Sequence, residues 1–322
     1  MGRYVGNVTR PEAEPAAAPE AAAFERERRR LTLLAYRMCG SWGDAEDVVQ
    51  AVALEWLRQP GPVADPAAWL TTVTVRRALD ALRARRREAS YVGPWVPEPV
   101  VHAGPDPHAE AERTEALTTA FLMLAEELTP PQRAVVVLRA LGYEHTEIGE
   151  VLQISPAASR QHHSRGTRRL SELNGRDVHA DPTLGLTPGA DQREAQRLLE
   201  LFLRAARAGD VAALLGLLHA DVVAYSDGGG RVRAARRPLN GPSNVARFTA
   251  GVTARHPAER STAQLLAVNA GPGAVLTMSG DRHVISLQVR DGRIYRLFDV
   301  ANPDKHAGLA GLVASQGVLL LG

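Results

Sequence analysis

The chain has 322 residues and a formal net charge of +2; that length allows two or three domains with more than one core, and that charge gives no global field to collect nucleic acid. Cys39 is the only cysteine, so no internal disulfide is available, and a cytoplasmic chain with a buried, inert thiol is expected. No apolar run approaches the roughly 20 residues that span a bilayer, so no membrane partner is expected.

Positive charge is local. Lys305 is the only lysine, and the arginines fall in short runs whose guanidinium groups suit phosphates. Residues 1–23 are Ala/Pro/Glu-rich without an apolar signal region and read as a disordered tail. Residues 24–88 read as helices. In Ser41 to Leu57, Ala45, Val48, Val49, Val52 and Trp56 recur at helical spacing. Asp44, Glu46, Asp47 and Gln50 lie outside that stripe, on a face that is either solvated or offered to a partner. The next helix, Pro66 to Arg87, buries Val75, Ala78, Leu79 and Leu82. Arg76, Asp80, Arg83 and Arg87 follow one another on another face, with Arg77 in the same cationic run. That density of arginine is a footprint for a phosphate backbone.

Residues 89–111 are proline-rich and read as a linker, and 112–172 as helical again. Thr129 caps a helix that has Pro130 in its first turn and closes at Gly142. Thr146 to Leu152 and Pro156 to Leu170 then form a helix-turn-helix pattern. The second helix carries Arg160, His162, His163, Arg165, Arg168 and Arg169 without an acid, which suits a recognition helix. Adjacent His162 and His163 point about 100 degrees apart and make a poor metal site; no metal and no cofactor is expected.

Residues 173–190 read as a second linker. Beyond it, Gln192–Ala208 and Asp210–Leu218 read as helices and Pro242–Val252 as a third. Strands are expected at 222–226, 263–269, 274–279, 283–290 and 293–300, with Asp291-Gly292 as a hairpin turn.

Six segments resemble one family. GSWGDAEDVVQ (40–50) is similar to the polymerase-binding segment of extracytoplasmic-function (ECF) sigma factors. WLTTVTVRRALDALRARRRE (69–88) is similar to their −10 segment, and residues 128–170 to their −35-binding domain. YVGPWVPEPV (91–100), DGGGR (227–231) and NPDK (302–305) resemble signatures of the subgroup with a fused C-terminal SnoaL-like domain. The resemblance implies two all-α sigma domains, region 2 at 24–88 and region 4 at 112–172, followed by an α+β cone at 191–322. It implies promoter DNA and core RNA polymerase as partners. Asp44, Glu46, Asp47 and Gln50 would meet the polymerase. Trp69, Arg76, Arg77, Asp80 and Arg83 would serve the −10 element, and Ser159, Arg160, His163 and Arg165 the −35 element. Arg76, Gly149 and His306 depart from residues common in the family.

For the cone two readings compete. An enzyme would recruit Asp221, Asp227, His283 and Asp299 as acid/base groups. A regulator would dock on the sigma domains through Tyr91 and Trp95, expected to be exposed, through the turn Asp227, Gly228, Gly229, Gly230, and through Asn302, Pro303, Asp304 and Lys305. Fusion to two DNA-facing domains favours the regulator, with no enzyme activity, no separate anti-sigma factor, and a small-molecule effector in the cone's pocket as a candidate partner. The alternative for the whole chain is a helix-turn-helix repressor with a ligand-binding domain, which leaves the acidic face of the first block unexplained.

Overall fold

The computed structural model describes residues 19–59, 61–85, 91–101, 117–174, 192–256, 261–269, 271–309 and 318–319. Almost all of the expected tail, and of the second linker, lies outside them. The first unit packs α1 (Pro19–Cys39), α2 (Trp42–Leu57) and α3 (Pro66–Arg85) on one another. Helix α1 begins at Pro19, inside the stretch read as tail. Helix α2 buries all five residues of its expected stripe, and the Ser41 Oγ accepts from the Asp44 amide at 3.2 Å as N-cap. Cys39 is fully buried.

The second unit starts with α4 (Thr119–Ala125), a short, nearly all-buried helix that local pattern did not single out. It continues with α5 (Pro130–Ala140), α6 (His145–Leu152) and α7 (Pro156–Asn174). Thr129 and Gln132 form a capping box at the start of α5. A side chain would not fit at Gly149: a Cβ there would lie 2.8 Å from the Ile154 carbonyl oxygen, so glycine permits the tight turn between α6 and α7.

The third unit is the cone. Helices α8 (Gln192–Ala208), α9 (Val211–Leu217) and α10 (Pro242–Thr253) cover a seven-stranded sheet of order β2-β1-β6-β5-β4-β3-β7. Its strands are β1 (Leu218–Asp227), β2 (Leu239–Asn240), β3 (Ser261–Val268), β4 (Gly271–Met278), β5 (Asp281–Arg290), β6 (Arg293–Val300) and β7 (Val318–Leu319). Strand β1 runs parallel to β6, and β3 to β6 form an antiparallel meander. Alternate strand residues serve two cores. Ile285, Leu287 and Leu297 pack with Leu199, Phe202 and Val245 inside the cone. Val275, Val284, Phe298 and Val300 pack instead in the same core as Phe121, Val135 and Met38.

The cone is therefore joined to the sigma-like helices by a continuous apolar core. Burying one such side chain is worth about 1.5–3 kcal/mol.

Candidate functional site

On the outer face of α2, Asp47 and Gln50 are exposed and Asp44 is half-buried. Glu46 accepts from Trp42 Nε1 at 2.8 Å. Leu54 and Leu57, at 48% and 62% exposure, extend the Asp47–Gln50 stripe by two further turns. Sequence reading missed these leucines. The helix thus presents acids followed by bare apolar groups on one side, an arrangement of little use to a solvated surface.

The −10 candidates are distributed differently from expectation. Arg76 Nε donates to the Val151 carbonyl at 3.1 Å, tying α3 to α6. Arg77 is ion-paired with Glu55. Trp69 is half-buried, 5.4 Å from Trp56. Asp80 and Arg83 form an exposed pair at 3.0 Å. On α7, Arg160 and Arg165 are exposed, but Ser159 is fully buried. Its Oγ lies 2.9 Å from His145 Nδ1, so Ser159 packs inside the motif, against the start of α6, and is not on the exposed face with Arg160 and Arg165. His163 stands edge-on to His145 at 5.6 Å. Burial, then Arg139 and Arg160, lowers the His145 pKa.

Between the cone and the helices lie two buried polar clusters. In the first, Lys305 is 5% exposed and Asp227 is fully buried. Lys305 Nζ donates to Asp227 Oδ2 at 2.7 Å and to the Val96 carbonyl at 2.6 Å. Asp227 also accepts from the Val96 amide at 2.9 Å and the Tyr91 hydroxyl at 2.6 Å. The ammonium lies 4.3 Å from the Trp95 ring and 4.8 Å from that of Tyr91. Burial, then the Asp227 carboxylate, pushes the Tyr91 phenol up, so it stays a donor. Asn302 Nδ2 donates to Tyr91 Oη at 3.1 Å. A Cβ on Gly229, whose φ is +55, would overlap the Asn302 amide, which explains the glycine.

The expected interdomain residues thus come together, with corrections. The Asp227 side chain, and not only the glycine backbone, makes the contact. Trp95 is half-buried and Tyr91 is 44% exposed, with its hydroxyl engaged. Pro303 and Asp304 stay exposed, Asp304 pairing with Arg231 at 3.1 Å.

The second cluster centres on Asn269, which the sequence reading placed only as a strand end. Its Oδ1 accepts from the Val100 amide at 2.9 Å and lies 3.1 Å from the Tyr36 hydroxyl. Its Nδ2 reaches the Glu98 carbonyl at 3.3 Å and Thr119 Oγ1 at 3.2 Å. One buried amide from the cone thereby contacts α1, the 91–101 segment and α4. Glu98 in turn accepts from the Trp42 amide at 2.7 Å, and burial raises its pKa. A third contact caps the motif helix: Arg290 and Arg296 donate to the carbonyls of Asn174 and Leu173 at 3.0 and 3.5 Å.

Of the four acid/base candidates, Asp221 is exposed and Asp227 is taken up by Lys305. His283 Nδ1 and Asp299 Oδ1 do meet, at 2.9 Å, with Ser226 donating to Asp299. Asp227 and Asp299 occupy alternate positions across the β1–β6 register, hence opposite faces of the sheet. They do not converge on one pocket.

Residues 23–88 match the model of sigma-70 region 2, and residues 118–170 that of sigma-70 region 4. The chain is 36% identical over 302 residues to the ECF RNA polymerase sigma factor SigJ of Mycobacterium tuberculosis, covering 90% of this chain and 94% of the relative. It is 32% identical over 156 residues to the RNA polymerase sigma factor CarQ of Myxococcus xanthus, covering 47% of this chain and 87% of the relative. The crystal structure of M. tuberculosis SigJ superposes with a TM-score of 0.68 at 34% identity, covering 89% of this chain and 98% of that one.

Proposed function

Because this chain belongs to the ECF RNA polymerase sigma factors and so directs core RNA polymerase to promoters, we propose that its SnoaL-like cone regulates that activity in cis by docking on both sigma domains. The observation that carries this reading is the pair of buried clusters around Lys305–Asp227 and Asn269, which fasten the cone to the 91–101 segment and, through Asn269, to both helical units. No separate anti-sigma protein is needed on this account, and the cone performs no catalysis. An effector that changes the docking equilibrium would be the inducing signal.

Within the sigma domains, 24–88 serves as region 2 and 112–172 as region 4, with 191–322 as the cone. Asp44, Asp47 and Gln50, with Leu54 and Leu57, offer the polymerase a mixed acidic and apolar stripe. Glu46 orients Trp42 beside it. Arg160 and Arg165 face the −35 element, and Asp80 and Arg83 the −10 surface. Arg76 and Arg77 are exposed but held by Val151 and Glu55, and Ser159 supports its face from beneath.

Run-off transcription with core polymerase tests the regulatory reading on three proteins: the full chain, a form ending before Asn302, and a form ending near residue 172. If the cone only represses, both truncations are more active than the full chain. If it also supports the polymerase-competent state, the first is activated and the second fails. Equal activity of all three overturns cis regulation. Asp47→Arg, which leaves the apolar stripe intact, is expected to lose core-polymerase association with an unchanged circular dichroism spectrum.

A further inference from the structure

Where the cone, the 91–101 segment and α4 meet, the surface folds into an open cleft of about 860 Å³. Its walls include three aromatic rings, Tyr91 and Trp95 from the segment and Tyr225 from β1. Tyr225 is stacked on Phe298 at 5.6 Å with planes 11° apart, which fixes its ring. At the rim stand Arg236 and Arg237, both exposed. Neither has a hydrogen-bond or ion-pair partner among the described residues.

Two carboxylates also line the cleft, but both are engaged, Glu126 with Arg133 and Glu127 with Arg169 at 3.8 Å. Arg133 is 2% exposed, and its Nε and Nη2 lack hydrogen-bond partners. The buried guanidinium behind Glu126 is thus only partly satisfied, and the two rim arginines face solvent without a protein partner among the described residues. The cleft therefore combines aromatic walls with an excess of positive charge. The Lys305–Asp227 pair is closed on itself and does not use this surface.

We propose that this cleft binds a planar aromatic anion, with its ring against Trp95 and Tyr225 and its acid group on Arg236 and Arg237. A carboxylate and a phosphate ester both offer a guanidinium the bidentate oxygens it prefers, and burying a ring between aromatic walls supplies apolar contact. The inference rests on the docking reading, since the cleft is built from three units and none of them forms it alone. It also moves the expected effector site from the interior of the cone to its junction with the helices. A ligand that binds only the docked form shifts the equilibrium toward docking, so where docking represses transcription this anion is a co-repressor.

The test is isothermal titration of the full chain with 2-naphthoate, 2-naphthyl phosphate and, as a neutral isostere, 2-naphthamide. At least one anion is expected to bind tenfold or more tightly than the amide and to lower run-off transcription. Arg236→Gln/Arg237→Gln is expected to abolish that preference while leaving amide binding unchanged. Absent binding, equal binding of anions and amide, or an unaltered preference in the double variant overturns the site. Asp227→Asn, which undocks the cone, is expected to lose all binding. If the anion binds the full chain with that preference but leaves run-off transcription unchanged, the regulatory reading fails and the site stands.

Discussion

The cone is fastened to the sigma helices by two clusters built from opposite chemistry. At Lys305–Asp227 a full ion pair is buried among Tyr91, Trp95 and the Val96 backbone. At Asn269 a neutral amide fills the same role with four hydrogen-bond partners. A buried ion pair is only marginally favourable overall, but it is strongly unfavourable once half of it is removed. A neutral amide has less to lose. The first cluster is thus suited to being a switch and the second to setting register, since Asn269 can satisfy its partners only when α1, the segment and α4 are all in place.

The largest effect is therefore expected from Lys305→Met. It keeps the aliphatic stem and strands the Asp227 carboxylate, at a cost of about 3–5 kcal/mol to docking. Run-off activity of the full chain should change at least tenfold, and amide exchange across residues 91–101 should accelerate. Adding Asp227→Asn should restore part of the docking, because no charge is then left buried. If the single variant exchanges and transcribes like wild type, the ion pair is not the fastening.

Asn269→Ala comes next, at about 1–3 kcal/mol for buried groups left unpaired. Asn269 has φ +46, so alanine adds backbone strain, and Asn269→Gly separates the two effects. The glycine variant should keep most of the loss. A glycine variant as stable as wild type would assign Asn269 to turn geometry alone.

The third comparison lies within the first cluster. Arg231 and Asp304 belong to the two signature segments, yet their side chains are 66% and 61% exposed. Such a pair is worth at most about 1 kcal/mol and is screened by salt. Arg231→Ala should leave docking within that margin, and 0.5 M salt should erase even that difference while leaving the Lys305 phenotype intact.

The two clusters also differ in how far they could be read from sequence. The first is written in short contiguous strings, DGGGR and NPDK, and includes the only lysine. The second depends on one asparagine at a strand end whose side-chain partners lie 150 to 233 residues away. No periodicity marks such a residue, and an asparagine after a strand reads as an ordinary turn. The same contrast runs through the fold. Strand 293–300 and helix 192–208 have the bounds their patterns predict. The seven-residue α4 is too short for a helical period to show. Leu54 and Leu57 were missed because apolar residues were sought on the buried face and charge on the outer one. Ser159 was misplaced because a recognition helix also needs small residues where it packs on its partner.

The smallest expected effect separates the stability of the cone from its docking. Burial alone would lower the His283 imidazole, but the hydrogen bond and charge of Asp299, with Asp281, outweigh it and raise its pKa. A histidine raised in the folded state stabilises below its ordinary value, near 6.5, and that contribution fades as pH rises through the raised value. His306 is shifted the other way by burial, with Arg282 and His283 adding repulsion. Its contribution is lost as pH falls through the ordinary value. The two windows meet at the ordinary value, His283 acting above it and His306 below it, so the full chain should be most stable at about pH 6.5 and lose stability on either side. His283→Gln should leave only the His306 slope, with Tm rising toward about pH 6.5 from below, and His306→Gln only the His283 slope, with Tm falling above it. His283 pairs with Asp299 inside the cone and the His306 ring bonds the Val300 carbonyl, so although His306 follows Lys305 in the chain neither ring shares the Lys305 or Asn269 hydrogen bonds, and run-off activity should not follow these Tm changes. A transcription change that tracks the uncovered slopes would mean that the interior of the cone and its docking face act as one unit, and that the two fastenings cannot be treated apart from it.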